Sequence, residues 1–151
     1  MDLKIVNHKI FKKAYFNFFT ICVIVVSGSF ILYKARINVF PFFISALSLQ
    51  NILLYALVGA ALIFAFFVLN NRNRLRKMQS FEEKIEHYEK FFTRRLWWHV
   101  ISCLTSAFFL LLTWHILFFY FGLFDILSML SAYPSKEILK RELDEDDIIF
   151  N

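Results

Sequence analysis

The sequence predicts an all-α, polytopic membrane protein with four transmembrane helices arranged as two hairpins, the alternative being three spans. Three observations lead there. Hydrophobic residues fill 59% of the 151 positions and aromatics 20%, with Phe alone at 21, above the roughly 45–50% apolar share of a soluble domain. The apolar residues come in runs that call for lipid rather than a protein core. Gly (3) and Pro (2) are scarce, which argues against a turn-rich β architecture.

The first span is predicted over residues 15–33. Lys4, Lys9, Lys12 and Lys13 precede it, and Ser27-Gly28-Ser29 offers the small residues that a signal peptidase accepts. The apolar run continues through Phe30-Ile31-Leu32-Tyr33, so it is read as an uncleaved helix. Its length of about 28 Å matches the ~30 Å hydrocarbon layer, with Tyr15 and Tyr33 at the two interfaces.

After a polar connection, residues 39–69 are too apolar for a loop and too long for one upright helix. Pro41 suits a first helical turn, while Ser45, Ser48, Gln50 and Asn51 dilute the first half. Residues 42–49 are therefore read as interfacial or as an extension, and residues 50–69 as the second span. A tilted helix of nearly thirty residues starting near Pro41 is the competing picture. Ala56-x-x-x-Ala60 and Ala61-x-x-x-Ala65, with Gly59, present small faces that let helices approach in lipid, within the chain or by self-association.

Residues 70–95 form the aqueous stretch. Arg72, Arg74, Arg76 and Lys77 orient the chain and are candidate contacts for anionic lipid headgroups, worth about 1 kcal/mol each near the surface. Ser80-Phe81-Glu82-Glu83 has capping-box form. Phe81, Ile85, Tyr88 and Phe92 then make one apolar stripe, and Glu86 and Lys90 an i,i+4 pair. A cytoplasmic amphipathic helix is predicted over residues 80–96, with its stripe on the membrane or on a partner.

Trp97-Trp98 marks re-entry into the interface. From there to Tyr133, 37 residues carry one full charge, Asp125. Two short spans, residues 98–113 and 116–132, would be about 24 and 26 Å long, joined at Thr113-Trp114-His115. The alternative is one helix over 97–121 ended by Gly122. Beyond Pro134, Ser135 can cap a short helix through Leu143, with Glu137 and Arg141 paired. The acidic run from Asp144 and the apolar Ile148-Ile149-Phe150 are expected to be solvated and frayed, the alternative being an ion-pair contact between the tail and the basic cluster over residues 72–77 if both lie on one side.

Charge counting favours four spans. Of the 17 Lys and Arg, four lie in the N-terminal arm, two in the first loop, eight in the long loop and three in the tail. Four spans place fifteen on one side against two, and three spans place twelve against five, so the positive-inside rule is better obeyed by four, with both termini cytoplasmic. The net charge of +5 follows the loops and is read as orientation, not as a nucleic-acid footprint.

Glu83-Lys84-Ile85, Tyr88, Arg95, His99, Leu112-Thr113, Pro134-Ser135-Lys136-Glu137 and Lys140-Arg141-Glu142-Leu143 together resemble a group of small membrane proteins common in Bacteroidota. The likeness covers residues 81–147, and the chain departs from the group in having no Gly at the hairpin turn. The resemblance implies two helical hairpins in a bacterial inner membrane and supplies no activity.

Asp125 is the leading candidate site. In the four-span arrangement it lies at bilayer depth, where a charge costs at least ~2.5–3.5 kcal/mol. Ser102, Thr105 and Ser106 are near enough on the facing helix to offer hydroxyls. The functional reading is a proton or cation relay, and the structural one a hydroxyl-bonded Asp that fixes helix packing. His99 and His115 each follow a Trp, about 24 Å apart on one helix, and are read as interfacial residues beside aromatic anchors. His8 and His87 show no ligand spacing, and Cys22 and Cys103 lie in apolar runs as small hydrophobes. With no nucleophile motif, phosphate loop or carboxylate pair, neither an enzyme nor a cofactor nor a metal is expected. The expected role is structural, assembly or accessory, exercised through the bilayer and other membrane proteins or self-association. A small oligomeric channel or transporter using Asp125 is one alternative, and a phage-type pore-forming lysis protein another.

Overall fold

The structure is a computed structural model and describes residues 5–40, 44, 46–145 and 147–150. The readings placed on Lys4, Pro41, Phe42, Ser45 and Asp146 lie outside the described residues. Among the described residues the protein is all-α apart from a single pair of two-residue strands. The elements are β1 (Ile5–Val6), α1 (His8–Lys34), α2 (Leu47–Lys77), α3 (Phe81–Thr113), α4 (Leu117–Leu130), α5 (Lys136–Leu143) and β2 (Ile149–Phe150). Helices α1, α2 and α3 are long and apolar enough to cross a membrane, and α4 is a shorter apolar helix of 14 residues.

The long helices overrun the predicted spans at their loop ends. α1 begins at His8 because no Gly or Pro interrupts residues 8–15, and because Phe11 and Tyr15, one turn apart, are both buried. α2 continues past Leu69 to Lys77, with Leu75 fully buried. Its 31 residues reach about 46 Å against ~30 Å of hydrocarbon, so the arginine-rich end projects.

The amphipathic segment and the third apolar segment are one helix of 33 residues. Ser80 precedes it with extended backbone, but its side chain makes no cap hydrogen bond, contrary to the capping-box expectation. Its carbonyl instead takes the Lys84 N–H at 3.1 Å. The apolar stripe turns inward. Tyr88 and Phe92 are buried, and Phe11 of α1 packs tilted against the first ring and edge-on against the second, at 5.5 and 5.3 Å.

The α3–α4 hairpin reverses without glycine. Trp114 takes the left-handed conformation at φ 55°, ψ 24°, which costs a non-glycine residue roughly 1–2 kcal/mol. Two hydrogen bonds offset this. The Trp114 N–H reaches the Leu110 carbonyl at 2.9 Å, and the His115 N–H reaches the Thr113 hydroxyl at 3.2 Å. α3 then packs on α1 and on α4 as its main neighbours. At Gly122, a Cβ would stand 3.0 Å from Val26 Cγ2 and 3.6 Å from Ser106 Cβ, so the absence of a side chain lets α4 close on α1 and α3.

The tail is docked, which corrects the expectation that it frays. Ser135 accepts the Ile138 N–H at 3.1 Å and starts α5, whose Leu139 and Leu143 are fully buried. β2 pairs in parallel with β1, Ile149 opposite Ile5 and Phe150 opposite Val6. His8 Nε2 donates to the Pro134 carbonyl at 2.5 Å. The start of α1, the exit from α4 and the loop end of α3 thus share one end of the molecule. The larger hydrophobic cluster is richest there, joining Val6, Phe11, Tyr15, Leu75, Tyr88, Phe92, Leu96, Met129, Leu139, Leu143 and Ile148. A smaller one, Leu57, Leu110 and Phe118, lies at the far end.

Between those clusters α2 stands off. Leu57 is the buried residue of its apolar part, and Ala56, Ala61 and Ala65 are exposed. The small residues leave a gap rather than a close helix contact within the chain. That gap is the candidate site.

Candidate functional site

Two polar centres lie along one face of α3. Arg95, His99 and Ser102 recur at i, i+4 and i+7, a spacing that aligns side chains on a helix. The loop-end centre is built on Glu142 of α5, which is 5% exposed. Arg72 Nη2 reaches Glu142 Oε1 at 2.7 Å, Arg95 Nη1 reaches the same oxygen at 3.3 Å, and the Tyr88 hydroxyl donates to Oε2 at 2.7 Å. Burial first, and the Glu142 charge second, push the Tyr88 hydroxyl well above the usual tyrosine range, so it stays a donor. A neighbouring pair, Lys84 to Glu145 at 2.7 Å, ties α3 to the acidic tail a second time. Of the basic residues read as lipid contacts, Arg72 is thus committed to Glu142, whereas Arg74, Arg76 and Lys77 are exposed.

The second centre surrounds Asp125 on α4. Ser102 Oγ donates to Asp125 Oδ2. His99 Nδ1 lies 3.7 Å from Asp125 Oδ1, within ion-pair reach and beyond hydrogen-bond length. The other two hydroxyls proposed for this cluster do not join it. Thr105 turns back to the Ile101 carbonyl at 2.8 Å, though it lines the same cleft. Ser106, buried, faces Gly122 and Val26, and its hydroxyl has no partner among the described residues. One helical turn separates Ser102 from Ser106, so the first meets Asp125 and the second meets Gly122, three residues earlier on α4.

His99 is the residue whose burial sequence reasoning missed. It is 3% exposed and packed edge-on against Phe64 at 5.3 Å, the ring on which Trp98 also stacks. Neither ring nitrogen has a hydrogen-bond partner among the described residues, and neither does Arg95 Nε. The signal available was spacing, since His99 stands three residues before Ser102 on the polar face. His115 stays at the turn, against Phe118 at 6.2 Å.

Both centres border a cleft of about 530 Å³ between α2, α3 and α4. Arg95, His99, Ser102, Thr105, Asp125 and Ser128 supply its polar strip, and Ala60, Ala61, Phe64, Ala65, Trp98 and Phe124 its apolar walls. Ala61, Ala65, Ile101 and Phe124 are exposed, so the cleft opens sideways between helices. Its loop end is flanked by the Arg95–Glu142 pair. Such a site can donate hydrogen bonds to an acceptor entering from the side. Among the described residues, no three His, Cys, Asp or Glu side chains converge as metal ligands.

Comparison with protein-family models, with curated proteins and with solved structures gives no match, so the reading of the site rests on its own chemistry.

Proposed function

We propose that this chain is a four-span protein of a bacterial inner membrane, with both termini cytoplasmic, and that it serves as an accessory protein through what its lateral cleft binds. Four spans are supported by the pairing of β1 with β2 and by the His8–Pro134 hydrogen bond, which join the two ends of the chain. The positive-inside rule supports the cytoplasmic side for that end, since it collects all the described basic residues except Lys34 and Arg36. α4 spans about 21 Å by itself, and a short helix is accommodated by local thinning of the bilayer. Arg74, Arg76 and Lys77 then face anionic headgroups. The resemblance of residues 81–147 to small Bacteroidota membrane proteins agrees with this placement.

The observation that carries the accessory role is the direction of the cleft. It opens sideways between α2 and α4, and the Arg95–Glu142 ion pair stands at its loop end. A site entered from the side suits a ligand or partner resident in the membrane better than an ion crossing it. The contact of His99 with Asp125 favours a second reading, a proton carrier. Purified protein in lipid vesicles under a potassium diffusion potential separates the two. The accessory role predicts proton entry equal to that of empty vesicles, for both the native chain and Asp125→Asn. Proton entry that Asp125→Asn abolishes would replace it with the carrier.

A further inference from the structure

We propose that the lateral cleft is a binding site for the head of a prenylated quinone, whose tail leaves between α2 and α4 into the bilayer. The inference rests on the accessory reading and names the class of ligand for the same cleft. Two buried donors point the way. His99 and Arg95 both line the cleft, are 3% and 7% exposed, and keep the two imidazole nitrogens and Nε without a hydrogen-bond partner among the described residues. A buried polar atom left unpaired is destabilising, and a ligand bearing acceptor oxygens removes that cost.

The charge balance selects a neutral head. Arg95 already shares the Glu142 carboxylate with Arg72, and the carboxylate of Asp125 lies 3.7 Å from His99, where it would repel an anion. Carbonyl oxygens meet the donors without that penalty. The walls select a flat one. The rings of Phe64 and Trp98 stack on each other, 3° from parallel with centroids 5.1 Å apart, and form one aromatic wall, while Ala60, Ala61 and Ala65 keep the α2 side free of bulk. The volume, about 530 Å³, falls within the range of roughly 300–1,000 Å³ typical of small-molecule sites. The exposed Ala61, Ala65 and Phe124 leave a lipid-facing exit for a hydrocarbon tail. Binding alone is proposed, with no electron transfer.

The test uses the full chain in lipid nanodiscs and a decyl-tailed dimethoxybenzoquinone as probe. Of the three tryptophans, Trp97 and Trp114 are replaced by Phe, so that fluorescence reports Trp98 on the cleft wall. The proposal predicts saturable quenching, with apparent affinity about tenfold weaker in His99→Leu, equivalent to about 1.4 kcal/mol, and largely kept in His99→Gln. Ala61→Leu, a substitution at an exposed position that fills the cleft, is expected to abolish saturation while the melting temperature stays unchanged. Quenching that rises linearly with probe and is the same in His99→Leu and Ala61→Leu would overturn the proposal. So would displacement of the probe by oleate that Arg95→Gln prevents, since the occupant would then be an acidic amphiphile. Either failure leaves the vesicle experiment, and with it the accessory reading, to be decided separately.

Discussion

Replacing Glu142 with Leu is expected to destabilise the protein by about 3–5 kcal/mol, the cost of leaving a buried charge without its partner. The loss is large because one carboxylate serves three groups on two helices. Arg95, 8% exposed at its side chain, would keep its charge in a site with no counterion, and the buried Tyr88 hydroxyl would lose its acceptor. Arg72, at 37% side-chain exposure, can turn to water and contributes less. The measurement is the unfolding transition of detergent-solubilised protein, read together with protease cleavage of the tail after α5. The double replacement Arg95→Met with Glu142→Leu should recover most of the loss, because removing both charges removes the desolvation cost as well. A single-variant loss below about 1 kcal/mol would mean that Glu142 is solvated and that the tail does not depend on it.

Phe92→Ala is expected to cost about 3–5 kcal/mol, and Phe66→Ala within about 0.5 kcal/mol. Both residues lie on long helices of an apolar chain, and the difference between them is the solvent replaced. Phe66 on α2 is 71% exposed, toward what would be lipid, which solvates a ring as well as a protein core does. Phe92 sits with Phe11 and Tyr88 in the loop-end cluster, beyond the apolar part of α3, where unfolding exposes the ring to water. Thermal unfolding of the two variants in one detergent tests this. Equal losses would place the loop-end cluster inside the bilayer.

These two expectations also mark what was legible in the sequence. The all-α class and the apolar segments follow from composition and run length, because lipid imposes a helix on any chain that crosses it. The Ser135 cap and the short helix after it follow from local chemistry. The ends of α1 and α2 did not, since polar residues without a breaker continue a helix above the interface whenever a face such as Phe11–Tyr15 or Leu75 finds a core. The docking of the tail was legible only as an alternative ion pair with the 72–77 cluster, without its partners. Ile148 to Phe150 look like a frayed end until β1 is placed beside them, and Glu142 looks solvated until Arg72, Tyr88 and Arg95 converge from positions far away in sequence.

The candidate site was half legible. An acidic residue within an apolar run draws notice by its cost, and Ser102 follows from hairpin geometry. His99 was masked by its Trp neighbours, which pull any reading toward the interface, although its spacing from Ser102 puts it on the inner face. The cleft itself required α2, whose alanines read equally as a close-packing face or as the wall of a space.

The measurement that most directly tests the account is the side of the membrane on which the C-terminus lies. Paired fusions after the last residue, one to a reporter active only in the cytoplasm and one to a reporter active only outside it, give the answer. The four-span arrangement predicts a signal from the cytoplasmic reporter alone, with the tail on the same side as the 70–95 segment and able to reach Arg72 and Arg95. A signal from the external reporter alone would contradict it, because Glu142 could not then meet those arginines and Asp125 would leave the bilayer.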